Sequence, residues 1–325
     1  MKPMILAGCI EIWGLSASLP RGASLSAQEN ARRVRSIRYA ERVIMVVVEF
    51  VIWFAAITCN LALLHWDPCW RGSCTGSSMG MNIPEALFLD SFVVLLQSMY
   101  LAAMFVKPGS ASDWAVERPD LPFPSYVSPE DSASDEAELW CKRCRAAKPR
   151  RVHHCSSCEV CVAKLDHHCL WTGNCVGVRN HKYFTLFLLY VTIACSFGTG
   201  LFIRFWMRLF RARALYSRRE IVRIAVLTYF GGVMAFAVAL AVGGLLVRNI
   251  FLACLNQTTL ESIQKRQPGR FQVVNYSTGS IYRNLQHAFG HDFLLWPVPV
   301  SRHARLSSAF WSHRGKHDRA RKRES

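Results

Sequence analysis

Four apolar runs set the strongest constraint on what this chain can fold into. Val43 to Leu64 is apolar apart from Glu49 and a few polar groups, and Ala86 to Val106 apart from Asp90. Tyr183 to Ile203 and Ile224 to Val247 carry no charged residue, and the last is bounded by Arg223 and Arg248. As a helix, each run of about 20 residues spans about 30 Å, the thickness of a bilayer's hydrocarbon. Core helices of soluble proteins seldom run so long without a charge. The expected architecture is therefore all-α and polytopic, with transmembrane helices at 43–64, 86–106, 183–203 and 224–247. Glu49 and Asp90 are too costly to face lipid and should turn into the bundle or lie near an interface. Composition agrees: 51% of residues are hydrophobic and only 19% charged, against about a quarter charged in a soluble chain.

Orientation follows from the arginines. Arg32, Arg33, Arg35, Arg38 and Arg42 precede the first run, and the loop after it holds only Arg71 as a positive charge. The positive-inside rule then puts the N-terminus in the cytosol, and four spans return the C-terminus there. Arg204, Arg208, Arg211, Arg213, Arg218 and Arg219, after the third run, oppose that assignment, but the larger basic total still favours it. Met1 to Ala27 begins with Lys2 but is interrupted by Glu11, so it reads as part of a cytosolic arm over 1–42 rather than a cleaved signal. Residues 107–138 form a linker whose later part, Glu117 to Glu138, holds seven acidic residues and four Pro. After the fourth run, residues 254–299 are a mixed cytosolic stretch and 300–325 a basic tail expected to be disordered. The net charge of +17 calls for an anionic partner. With four spans that partner is a bilayer or a polyphosphate, not nucleic acid.

The segment 139–182 between the second and third runs turns basic and holds seven of the 13 Cys. It reads Cys141-x2-Cys144, His154-Cys155-x2-Cys158-x2-Cys161, Asp166-His167-His168-Cys169 and Cys175. Cys-x2-Cys pairs have the reach of a zinc knuckle. So short a segment with few aliphatics cannot fold by burial alone, and metal supplies the missing stability. Two closed tetrahedral sites need eight ligands. Six Cys and two His fill them, leaving one Cys free and two of His153, His154, His167 and His168 spare. A free thiol beside His and Asp has the parts of an activated nucleophile. The count alone does not say which Cys is free.

This block resembles the cysteine-rich domain of the DHHC-type protein S-acyltransferases, the palmitoyltransferases. The resemblance rests on Cys141-x2-Cys144, Lys148-Pro149-Arg150, His154-Cys155-x2-Cys158-x2-Cys161, Asp166-His167-His168-Cys169, Cys175 and Asn180-x3-Phe184. It continues in Thr258-Thr259-Leu260-Glu261, which is similar to the family's TTxE motif. Asn284 to Pro297 is similar to its C-terminal motif. Leu170 and Lys107-Pro108-Gly109 depart from the family pattern, away from the expected chemistry. The resemblance implies short β-hairpins holding two structural zinc ions. One zinc would sit on Cys141, Cys144, His154 and Cys161, the other on Cys155, Cys158, His168 and Cys175. Cys169 would be the nucleophile, His167 its base and Asp166 the orienter of His167. Thr258, Thr259 and Glu261 would pack near that Asp, with Asn284 in a supporting role.

The implied reaction moves a long acyl chain, palmitoyl, from acyl-CoA to cytosolic protein cysteines through an acyl-enzyme on Cys169. Cys169 lies 14 residues before the third span, close to the bilayer surface. Lys148, Arg150, Arg151, Arg179 and Lys182 are candidate contacts for CoA phosphates, or a basic face toward anionic lipid. An endomembrane location, Golgi or ER, is expected. The rival is a zinc-containing membrane scaffold of the same fold that transfers nothing.

Overall fold

The computed structural model describes residues 27–64, 82–110, 140–148, 151–266 and 275–300. It is mostly helical. The long helices are α1 (Ala27–Leu64), α2 (Asn82–Phe105), α3 (His181–Arg211) and α4 (Arg218–Cys254), followed by the short α5 (Thr259–Lys265) and α6 (Ile281–Phe289). The first four are each long and apolar enough to cross a membrane. Each begins before the bound that hydropathy implies, because a helix does not stop where its apolar run stops. The 38 residues of α1 extend about 57 Å at 1.5 Å per residue, and its leading turns lie within the segment expected to be a separate arm.

The chain divides into two compact units, 1–40 and Glu41–Ser325. Of the first, the described part is the arginine-rich opening of α1. In the second, Ala56, Cys59, Leu89, Met99, Leu186, Phe202, Phe205 and Ile224 share one buried core drawn from all four long helices. Both membrane-region carboxylates have partners. Glu49 accepts from Gln97 Nε2 at 2.7 and 2.9 Å, and Asp90 accepts from Asn60 Nδ2 at 2.9 Å. Each links α1 to α2, which keeps a costly polar group off the lipid. The arginines after the third run are mostly helical rather than in a loop: Arg204, Arg208 and Arg211 close α3, and Arg218 and Arg219 open α4. Arg204 pairs with Glu85 at the start of α2.

Between α2 and α3 three antiparallel hairpins follow: β1 (Trp140–Cys141) with β2 (Ala146–Ala147), β3 (Val152–Cys155) with β4 (Val160–Ala163), and β5 (His167–Cys169) with β6 (Asn174–Val176). Two asparagines fasten this module to the end of α2. Asn174 Nδ2 reaches the carbonyls of Ala103, Met104 and Val106 at 3.1, 3.1 and 3.0 Å. Asn180, fully buried, reaches the carbonyls of Ala103 and Val106 at 3.4 Å through Nδ2 and holds its own loop through Cys175 O and Gly177 N–H, both at 2.8 Å. A helix end has four carbonyls without helical partners, and these side chains satisfy some of them.

Candidate active site and its metal clusters

Period two explains how one short segment serves two clusters. Adjacent residues on a strand face opposite sides, and residues two apart share a side. His154 pairs across from Cys161, while its neighbour Cys155 pairs with Val160. His154 thus faces one cluster and Cys155 the other. The ligand atoms of Cys141, Cys144, His154 and Cys161 lie within 4.8 Å of one another, as do those of Cys155, Cys158, His168 and Cys175. His154 Nδ1 is 3.6, 3.2 and 3.9 Å from the three sulfurs of its set. His168 Nδ1 is 3.5, 3.4 and 3.4 Å from those of its own. Both sets could hold a metal ion. Three soft sulfurs and an imidazole suit zinc, and four donors close a tetrahedron.

The same alternation sorts the reactive residues. In β5, His168 faces the second cluster, so His167 and Cys169 share the other side. Cys169 belongs to neither metal set. His167 Nδ1 bonds Asp166 Oδ2 at 2.7 Å, and His167 and Cys169 act on each other electrostatically. Asp166, 3% exposed, is held on its other oxygen by the backbone N–H of Thr259 at 2.6 Å. The Cys169 thiol packs with Val176, Phe184, Leu188 and Leu246, side chains of β6, α3 and α4. The nucleophile candidate therefore opens onto the apolar helices rather than onto water.

Electrostatics favour an ion pair. Burial works against a charged His167, but the Asp166 hydrogen bond and the bond and charge of Cys169 outweigh it, raising its pKa to about 10. Burial raises Cys169, but the His167 bond and charge and bonds from Thr172 lower it below a normal thiol. Asp166 is held well below the carboxylate range: burial opposes ionisation, and the His167 bond and charge with the Thr259 N–H override it. His153 joins neither cluster; burial, with the charge of Lys148, lowers its pKa to about 4.

Thr258, Thr259 and Glu261 do their work at the start of α5. Thr258 Oγ1 accepts from Glu261 N at 3.1 Å, and Glu261 Oε2 accepts from Thr258 N at 2.9 Å, a reciprocal cap. That cap aims the Thr259 N–H at Asp166. Glu261 also receives Arg151 at 2.7 and 3.0 Å. Asn284, 2% exposed, donates to Cys254 O at 2.7 Å and accepts from Thr278 N at 2.9 Å, tying α6 to the end of α4.

The five basic candidates separate. Arg151 corrects the sequence reading: it is 4% exposed, its guanidinium also donates to Asn256, and it lies 4.2 Å over the Tyr276 ring. With its charge taken up by Glu261, it is a structural anchor and not a surface cation. Lys182 Nζ donates to the carbonyls of Leu295 and Val300 at 2.6 and 3.0 Å, strapping the C-terminal segment to α3. Lys148 and Arg179 are half-buried, and Arg150 lies outside the described residues. Sequence reasoning missed Asn174 and Glu41, the latter 2.7 Å from His168 Nε2. Neither sits in a recognisable local pattern, and only the packing reveals them.

The fold and site define a class: four membrane helices with a cysteine-rich, metal-suited hairpin module between the second and third. Residues 134–266 match the family model described as DHHC palmitoyltransferase, and the chain carries a domain of that family. It is similar to "Palmitoyltransferase PFA3" of Gibberella zeae, at 31% identity over 66% of this chain and 36% of that protein. It is 34% identical to "Probable protein S-acyltransferase 14" of Arabidopsis thaliana over 52% of this chain and 53% of that one. "Palmitoyltransferase ZDHHC2" of Danio rerio is 36% identical over 50% and 43%. The chain thus spans about a third to a half of the length of these relatives.

Proposed function

We propose that the chain is a protein S-acyltransferase, a protein-cysteine palmitoyltransferase, using long-chain acyl-CoA and modifying cytosolic cysteines of other proteins. The observation that carries this reading is the relay Asp166–His167–Cys169, whose thiol stands outside both metal sets and within the apolar cluster of α3 and α4. A scaffold would have no use for such a relay.

The Cys169 thiolate attacks the thioester carbonyl of acyl-CoA. A new S–acyl bond forms at Cys169, the bond to the CoA sulfur breaks, and the leaving thiolate takes the proton from His167. A substrate cysteine then gives its proton to His167, attacks the acyl-enzyme and releases the Cys169 thiolate. Asp166, fixed by Thr259 N–H, holds the His167 ring and stabilises its charged form. Phe184, Leu188 and Leu246 offer the acyl tail an apolar path toward the spans, while the CoA head stays in water near Lys148 and Arg179. Cys141, Cys144, His154 and Cys161 would hold one zinc, and Cys155, Cys158, His168 and Cys175 the other. Bound zinc supplies cross-links between hairpins, with no open position for chemistry.

The layout is that of the sequence reading, with both termini cytosolic and an endomembrane location, Golgi or ER. Purified protein given labelled palmitoyl-CoA should gain a hydroxylamine-labile acyl group. Absence of that label from intact, zinc-loaded protein would refute the reading.

A further inference from the structure

Behind the two ligating histidines the molecule differs. Both direct Nδ1 at their three sulfurs. His154 Nε2 is buried and has no hydrogen-bond partner among the described residues. His168 Nε2 donates to Glu41 Oε1 at 2.7 Å. Glu41 is 6% exposed and comes from α1, 127 positions away in sequence. The approach is close. At Gly173, whose φ is +57, an added Cβ would come within 3.1 Å of Met45 Sδ and 3.7 Å of Glu41 Cβ. One turn of α1, Glu41 to Met45, therefore lies against the loop joining β5 and β6.

From this geometry we propose that Glu41 is a positioning residue: an outer carboxylate that fixes the His168 ring and clamps the reactive strand to the first membrane helix. The inference rests on the zinc reading of the second cluster. A carboxylate on the remote nitrogen of a ligating imidazole fixes its tautomer and orientation and strengthens it as a ligand, and removing such a group typically costs 10–100-fold in metal affinity. Here the effect reaches further, because His168 lies between His167 and Cys169 in β5. A ring that turns at His168 turns the strand, and with it the reacting pair on the opposite side. The first helix thereby supports the site without touching substrate.

The test is zinc release from the full chain in detergent micelles, followed with a chromogenic chelator, for the unsubstituted protein, Glu41→Gln and Glu41→Ala. About two zinc ions per unsubstituted chain supports the underlying reading; a protein without zinc overturns that reading instead. In Glu41→Ala one zinc should leave about 10–100-fold faster and the other at its usual rate. Glu41→Gln, which keeps an acceptor oxygen, should fall between. Maleimide labelling during the fast phase, mapped by mass spectrometry, should mark Cys155, Cys158 and Cys175 before Cys141, Cys144 and Cys161. Val46→Ala, an exposed position on the same helix, should leave both rates unchanged. Equal acceleration of both ions, first labelling at the other cluster, or unchanged release in Glu41→Ala would each overturn the assignment.

Discussion

The two metal clusters are made from the same parts. In each, a Cys-x2-Cys knuckle is closed by a backbone N–H···S contact, Cys144 N to Cys141 and Cys158 N to Cys155, both at 3.4 Å. In each, the residue after the knuckle takes a left-handed turn, Arg145 at φ 48 and Glu159 at φ 59. In each, the ligating His sits across a hairpin from a ligating Cys, His154 from Cys161 and His168 from Cys175. Their surroundings differ. The first uses the hairpins β1–β2 and β3–β4. The second takes in β5–β6, the hairpin that Asn174 fastens to α2, that Glu41 braces from α1, and that carries His167 and Cys169. Equal ligand sets thus have unequal surroundings: the local motif makes a cluster that could hold a metal ion, and the neighbours place only the second beside His167 and Cys169.

Ligand loss should break the symmetry most. Cys155→Ser should shed the second zinc, unfold the hairpins around it and abolish acylation, because the binding energy of a structural zinc is folding energy, about 10 kcal/mol or more. Cys141→Ser should also lose a zinc and lower the melting temperature, yet keep more acylation than Cys155→Ser. Equal losses in zinc, melting temperature and acylation would show that the two sites serve the module alike.

Cys169→Ser separates fold from chemistry. It should abolish self-acylation while zinc stays near two per chain, since this thiol belongs to neither set. Loss of one zinc would mean that Cys169 is a ligand.

His167→Ala should slow acylation by roughly 10²–10⁴-fold, the usual size of a general-base contribution, with zinc retained. His168→Ala, one residue on, should instead lose metal. The pH profiles sharpen the contrast. His167 has its pKa raised to about 10 and Cys169 has its lowered, so the unsubstituted protein should keep its rate to lower pH than a variant without the imidazole. In His167→Ala the thiol must ionise unaided near pH 8.5, so its rate should climb through that pH. A flat profile in the variant would count against the relay.

The smallest expected effect on acylation is at a residue that belongs to neither cluster and not to the relay. Arg151→Ala leaves Glu261 without its buried partner and should cost about 3 kcal/mol or more in stability, read as a lower melting temperature. Binding of CoA to the remaining folded protein should change little, since this guanidinium is not at the surface. A selective loss of CoA affinity with unchanged melting would restore Arg151 as a phosphate contact.

Much of this was legible in the chain itself. Four apolar runs determined four long helices, because burying that much hydrocarbon leaves few alternatives. The count of Cys and His allowed two four-ligand clusters, and the resemblance implied which residues share each. The ligand count required one spare thiol, and resemblance pointed to Cys169. Other features depended on residues distant in sequence meeting in space. Arg151 reads as a free cation until Glu261 and Tyr276 are found around it. Thr258 and Glu261 read as a short motif until their cap is seen to aim an N–H at Asp166. Glu41 reads as one more charge before a membrane run until α1 packs against Gly173. Propensity, period and spacing act over a few residues, whereas a buried charge has its partner chosen by packing, and only the tertiary structure decided which partners those were.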